Sequence, residues 1–242
     1  MYHNIRNYDI RYLDVDFKDE LRLSSLMSVL EESACASADE LGFGYDDIMP
    51  KNIGFVIVNW YLEQYRSIKL KEKLTVHTWP MKPKRTAMFR EFEVYSGNEK
   101  VAVGTSRWCM VDLKSFALLP TSAFFADDKR EYNDFRAIDF NSWHLAPLDG
   151  GEKKYEKLIT VSDYDHYFHC NNTKYADICF DAFSVEELAG RSIENVQITY
   201  IRQCKYGELL EVFRHDEGDA SLLEGRVNGE PRVRVAVKFR KI

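Results

Sequence analysis

VSDYDHYFHCNNTKYADICFDAF, residues 161–183, repeats the plan of an earlier stretch, YLDVDFKDELRLSSLMSVLEESA, residues 12–34. At a constant offset of 149 positions Asp163 falls on Asp14 and Asp165 on Asp16. Tyr175, Ile178, Cys179, Ala182 and Phe183 follow the i, i+3, i+4, i+7, i+8 spacing of one helical face, and the same phase recurs in Leu26, Val29, Leu30, Ser33 and Ala34. Both helical runs stop near a glycine, Gly42 or Gly190; beyond it WYLEQY (60–65) matches TYIRQC (199–204), with Gln64 over Gln203. A supersecondary unit used twice explains this self-similarity. The copies differ where polar chemistry is concentrated, since His169, Asn171 and Asn172 stand over Glu20, Arg22 and Leu23. That asymmetry points to one working site, near Asp165 and His169.

After each helix come segments rich in β-branched and aromatic residues. The first half has FVIVNWYLEQY, LTVHTW, MFREFEVY and VAVGTSRWCMVD; the second has VQITYIRQC, LLEVFRH, SLLEGRV and VRVAVKFRK. In the last of these Val233, Val235, Val237 and Phe239 alternate with polar or small residues, the period of a half-buried antiparallel strand. SGNE (96–99) and NGEP (228–231) are turn signals between strands. Small side chains in ESACASADELG let a sheet approach the first helix closely. A strand, a long buried helix and several antiparallel strands, twice over, predict an α+β chain built as a tandem double hotdog. The units are expected at residues 1–120 and 153–242, joined by a linker at 121–152 whose Phe124, Phe125, Phe135, Phe140 and Trp143 predict that it packs down.

The 242 residues suffice for two such units, and 45% hydrophobic with 30% charged residues is an ordinary globular balance. The opening MYHNIRNYDIRY lacks the layout of a signal peptide, and no apolar run approaches the roughly 18 residues of a membrane span. A cytoplasmic setting without stable membrane insertion is expected. Five cysteines without a CxxC pair read as free thiols in a reducing compartment. The net charge of −6 speaks against general nucleic-acid binding.

SDYDHYFHCNNTKY with the following YIRQC, together with HTWPMKPKR and SRWCMVD in the first half, resembles the acyl-acyl carrier protein thioesterases of plants and bacteria. The likeness covers almost the whole chain in the right order. In that family an Asp-x-Asn-x-His-Val-Asn-Asn stretch opens the C-terminal helix, and an acidic residue precedes a cysteine on the next strand. Asp165, His169, Asn171 and Asn172 match, whereas Tyr167 stands in place of the asparagine, Cys170 of the valine, and Gln203 of the acid before Cys204. The resemblance implies hydrolysis of the thioester between a fatty acyl chain and acyl carrier protein, with no metal or organic cofactor. It also implies a C-terminal catalytic unit and an N-terminal unit that shapes chain-length preference.

Such hydrolysis needs an activated water, donors for an oxyanion, and an exit for the thiol. Asp165 serves as general base or attacks directly; His169 orients the water and protonates sulfur; Gln203 holds a water by hydrogen bonding. Asn171 or Asn172 caps the helix, whose free N–H groups face the carbonyl, and Tyr167 donates a hydroxyl or lines the pocket. Against these stand blander readings: Asp165 as a turn residue like Asp16, and Gln203 as a strand residue like Gln64. A Cys204 nucleophile paired with His169 is a further reading, as is metal held by His166 and His169, for which no third ligand at useful spacing accompanies the pair. Carrier docking is expected on basic clusters, either Lys82, Lys84 and Arg85 or Arg232, Arg234, Lys238, Arg240 and Lys241. Acyl-coenzyme A hydrolysis, a silent acyl- or carrier-binding module, and a dehydratase are the rival functions, and homodimerisation is left open.

Overall fold

The computed structural model describes residues 2–165 and 167–241. Along the chain come β1 (Asn4–Asp9), α1 (Leu23–Glu40), α2 (Tyr45–Ile48), β2 (Ile53–Gln64), β3 (Lys73–Pro80), β4 (Met88–Ser96), β5 (Glu99–Asp112), β6 (Leu118–Leu119) and α3 (Ser122–Phe125). The second half supplies β7 (Glu152–Leu158), α4 (Asn172–Phe180), α5 (Val185–Ala189), β8 (Arg191–Tyr200), β9 (Leu209–Glu217), β10 (Ala220–Val227) and β11 (Glu230–Lys241). The period-2 segments become one antiparallel sheet in the order β1-β3-β4-β5-β2-β8-β11-β10-β9-β7, with β6 paired to β5. Read from either edge inward, the order of strands within each half is the same. The halves join through β2 and β8, where Asn59 faces Thr199 and Glu63 faces Asn195. Asn228 and Gly229 both have positive φ (51° and 79°), the backbone that a tight two-residue hairpin demands.

Alternation along β2 divides the two faces of the sheet. Trp60 and Leu62 join Leu26 and Leu30 of α1 and Tyr175 and Cys179 of α4 in one apolar cluster that spans both halves. Asn59 and Tyr61 point the other way, toward the stretch between the halves: the Tyr61 ring stacks on Phe140 at 3.8 Å, and Asn59 Nδ2 donates to the Trp143 carbonyl at 3.4 Å. That stretch has little regular structure but is pinned throughout. Trp79 Nε1 donates to the Phe135 carbonyl at 3.2 Å, and buried Glu91 and Glu224 accept the Ala137 and Leu148 N–H groups at 3.1 and 3.2 Å.

Three elements differ from the sequence reading. The second helix has 9 residues against 18 in α1, because Ser184 starts a new helix: its Oγ accepts the Glu187 N–H at 3.2 Å, and its own N–H donates to Glu187 Oε2 at 2.7 Å. β8 ends at Tyr200, so Gln203 and Cys204 lie in a connection and not in a strand as Gln64 does. Most basic residues of β11 are paired within the protein, while Lys238 and Lys241 remain exposed. Arg234 pairs with Glu224 at 2.5 Å, Lys238 with Glu194 at 2.7 Å, Arg232 is buried beside Glu208, and Arg240 donates to the backbone carbonyls of Gln64 and Tyr65. Where the linker and neighbouring segments cover the strand, at Arg232 and Arg234, the cations find partners within the protein.

Candidate active site

The loop before α4 is built around Asp165. Its N–H donates to the His169 carbonyl at 2.9 Å, its carbonyl accepts from Phe168 N–H at 3.1 Å, and its Oδ1 accepts from the N–H groups of Tyr167 and His169 at 2.9 and 3.2 Å. The first half contains the same loop. Asp16 N–H donates to Glu20 at 2.8 Å, and Asp16 Oδ1 accepts from Lys18 and Glu20 N–H at 2.8 and 3.1 Å. Asp19 and Phe168 even share a left-handed φ, 55° and 60°. The turn role is therefore real in both copies. Only in the second does it hold out an imidazole, and there Asp165 Oδ2 takes no part in the loop bonds among the described residues.

Asn171 is the N-cap of α4, its Oδ1 accepting Thr173 N–H at 2.9 Å, while its carbonyl accepts Lys174 N–H at 3.0 Å. The cap thus consumes part of the donor set that the sequence reading reserved for an oxyanion. Asn171→Ala is expected to cost about 1 kcal/mol and to lower the midpoint of thermal unfolding by roughly 2–4 °C, as circular dichroism would measure. Asn172 faces inward. Its Nδ2 donates to Glu31 Oε1 at 2.8 Å, its carbonyl accepts from the Tyr200 hydroxyl at 2.9 Å, and its Oδ1 is buried without a partner among the described residues.

Asp165, Tyr167, His169, Asn171, Asn172 and Gln203 line one cavity of about 850 Å³. Its other walls come mainly from the first half: Glu31, Cys35 and Ala38 of α1, Phe43, Ile48, Phe55, Ile57, Met88, Trp108 and Phe125. Phe116, also from the first half, meets the His169 ring edge-on at 5.5 Å. Burial favours the neutral His169 imidazole and holds its pKa below the ordinary value, while the Asp165 charge pulls the other way. Burial likewise raises the Tyr167 hydroxyl, with the nearby Tyr45, Cys35 and Asp165 adding to the rise.

Gln203 is exposed at the rim. Its neighbour Cys204 turns into the core at 1% exposure, and burial pushes its thiol up to about 11 despite a hydrogen bond with Tyr175. Both its burial and its raised pKa favour the neutral thiol over a nucleophilic thiolate. His166 lies outside the described residues, and among those described no cluster of three or more His, Cys, Asp or Glu is placed to hold a metal. Sequence reasoning missed Glu31. The legible signal was a carboxylate standing over Phe180 in the repeat, on a helix otherwise read only for its apolar stripe.

The equivalent place in the first half is a smaller cavity of about 410 Å³ lined by Asp16, Lys18, Glu20, Arg22, Leu23 and Gln64, with Asp177 and Phe180 opposite. Glu20, which occupies the position of His169, is tied to Lys18 at 2.9 Å and to Lys69 at 2.8 Å. In this copy an ion-paired carboxylate stands where the second has an imidazole.

Residues 2–118 match the family model described as the acyl-ACP thioesterase N-terminal domain, and residues 150–241 match that of the acyl-ACP thioesterase C-terminal domain. A chloroplastic acyl-[acyl-carrier-protein] hydrolase of Cuphea viscosissima is 24% identical over 90% of this chain; the match spans 57% of that relative's length. Among solved structures, an acyl-ACP thioesterase from Bacteroides thetaiotaomicron superposes with a TM-score of 0.88 at 21% identity, covering 98% of both chains. The 12:0-ACP thioesterase from Umbellularia californica gives a TM-score of 0.85 at 17% identity, covering 99% of this chain and 98% of the other. The shared fold is a long antiparallel sheet with few helices.

Proposed function

Because the chain belongs to the acyl-ACP thioesterase family, we propose that it hydrolyses the thioester of fatty acyl-acyl carrier protein to free fatty acid and carrier thiol. The observation that carries this reading is the join of two unlike surfaces in one cavity: a carboxylate and a neutral imidazole at one end, and a long apolar wall at the other. An aliphatic chain is the ligand such a wall suits. We further read the halves as two hotdog units, residues 1–120 and 153–242, with 121–152 as the linker. The first forms most of the chain-length tunnel and the second carries the chemistry.

In the proposed reaction Asp165 Oδ2 takes a proton from a water that His169 orients, and the water oxygen adds to the thioester carbon. The resulting oxyanion is met by the positive end of α4. Collapse breaks the C–S bond, and a thiol of ordinary pKa about 8.5 departs easily. Gln203 at the rim suits an amide contact to the carrier's prosthetic arm or to a water; it has no proton-accepting carboxylate.

Lys82, Lys84 and Arg85 are exposed, and Pro80, Met81 and Pro83 beside them line the cavity, as does Arg202 on the other side of the mouth. This is the surface we assign to the acidic carrier. No described helix is long and apolar enough to cross a membrane.

The test is thiol release from a ladder of acyl-acyl carrier proteins and matched acyl-coenzyme A thioesters at low and high salt. Carrier substrates should win at low salt and lose that advantage as charge is screened over about 8–10 Å. An unchanged preference for acyl-coenzyme A would overturn the assignment of the carrier. Because the neutral imidazole is favoured, the acid limb of the profile should lie below the ordinary histidine value of about 6.5, with activity falling as pH drops through it.

A further inference from the structure

Glu31 belongs to the first half, yet it serves the cavity of the second. It projects from α1, whose residues Ser28, Glu31 and Cys35 face the cavity along one side of the helix, and its Oε1 accepts the Asn172 Nδ2 hydrogen across 141 residues of sequence. In the repeat, Asn172 corresponds to Leu23 and Glu31 to Phe180, and these two apolar residues line the smaller cavity together. One cavity therefore has a hydrogen-bonded amide and carboxyl where the other has two hydrocarbon side chains. The same place in the first half is built from hydrocarbon, so the polar pair is particular to the second cavity. Glu31 is half-buried and has no cation paired with it among the described residues, whereas Glu20 in the smaller cavity is held by Lys18 and Lys69.

The chemistry has an opening for it. If Asp165 takes the proton from water, the sulfur still needs one, and a neutral imidazole is a weak acid. Burial pushes the Glu31 carboxyl above its ordinary range; the Asn172 bond opposes this, and the charges of Asp165 and Glu32 add to it. A carboxyl that its surroundings hold in the protonated form is a suitable acid for the departing sulfur. Oε1 is occupied by Asn172. That leaves Oε2 to carry the proton.

We propose that Glu31 is the second proton-handling group of the hydrolytic site, giving its proton to the departing sulfur while Asp165 accepts one from the attacking water. The proposal rests on the thioesterase reading. As the C–S bond breaks, sulfur takes the bond pair and then the Glu31 proton to become the carrier thiol. The proton on Asp165 passes to solvent, and solvent returns one to Glu31, so the sum is thioester plus water giving carboxylic acid plus thiol. The site is then a joint product of both halves.

Glu31→Gln is the decisive variant, because the amide oxygen still accepts from Asn172 while the acid is lost. Its thiol release from acyl-acyl carrier protein should fall by about a hundredfold in kcat, with KM within about threefold of the parent. The alkaline limb of the parent profile, where Glu31 loses its proton, should vanish. Glu31→Asp, which keeps an acid one methylene shorter, should retain that limb at reduced kcat, and it serves also if the glutamine variant folds poorly. A glutamine variant with kcat within about threefold of the parent and the same alkaline limb would show that Glu31 only holds Asn172, and would overturn the proposal alone. A parent that releases no thiol from any acyl-acyl carrier protein would overturn the thioesterase reading, and the proposal with it.

Discussion

Asp165→Asn is expected to lower thiol release from acyl-acyl carrier protein by about a hundredfold or more while leaving thermal unfolding close to that of the parent. The asparagine oxygen can still accept the Tyr167 and His169 N–H groups that Asp165 Oδ1 holds at 2.9 and 3.2 Å, so the loop keeps its shape. What is lost is the base. The internal repeat supplies the control, because Asp16 makes the same two bonds at 2.8 and 3.1 Å in a loop without an imidazole. Asp16→Ala should cost roughly 1–2 kcal/mol of stability, the order of a lost Asx-type cap, and keep turnover. His169→Ala should join Asp165→Asn in losing turnover. If Asp165→Asn retained activity within about threefold, Asp165 would be a turn residue and nothing more, and the base would have to be sought elsewhere in the cavity.

Glu224→Ala should be the most destabilising substitution outside the apolar core. At 3% exposure this carboxylate accepts from Arg226 Nε at 2.6 Å, from Arg234 Nε at 2.5 Å, and from the Leu148 N–H that ends the linker. Its removal strands two partly buried guanidiniums, which costs about 3–5 kcal/mol and should lower the unfolding midpoint by roughly 10 °C. The group also sets a pH dependence. Burial pushes its pKa up, but the Arg234 and Arg226 bonds and the Leu148 N–H together outweigh burial and hold it below the ordinary glutamate value. Its contribution is therefore full above the unfolded pKa and is lost as pH falls through the depressed folded value. The parent should lose stability in acid more steeply than Glu224→Ala, as denaturation at pH 7 and near pH 3 would measure; parallel loss in both would show that the carboxylate is not what fastens the linker.

Much of the candidate site was legible because it is local. Asp165, Tyr167, His169, Asn171 and Asn172 sit within eight consecutive residues, and a loop folded on its own backbone brings them together without help from the rest of the chain. Gln203 could be placed near them only through the family resemblance, since the repeat set it over the strand residue Gln64. Cys204 could not be placed at all from its neighbour. A strand alternates its faces, so reading TYIRQC as strand made the pair strand residues, whereas β8 stops at Tyr200 and the connection leaves Gln203 exposed and buries Cys204. The basic face of β11 misled for a related reason. Alternation shows which residues share a face, but not that the linker reaches Arg234 and that carboxylates from neighbouring strands pair Arg234 and Lys238.

The sequence by itself determined the repeat, the α+β class, the strand and helix order, and the loop that carries Asp165 and His169. Those rest on periodicities of 2 and 3.6 and on bonds between residues a few positions apart, which backbone geometry fixes wherever the segment lies. Only the tertiary structure decided that β2 meets β8 in one continuous sheet, that the linker lies along its outer face, and that Glu31 reaches Asn172. Contacts between distant segments depend on how whole faces fit when water is expelled from between them, and no pattern confined to one segment records which face it will meet.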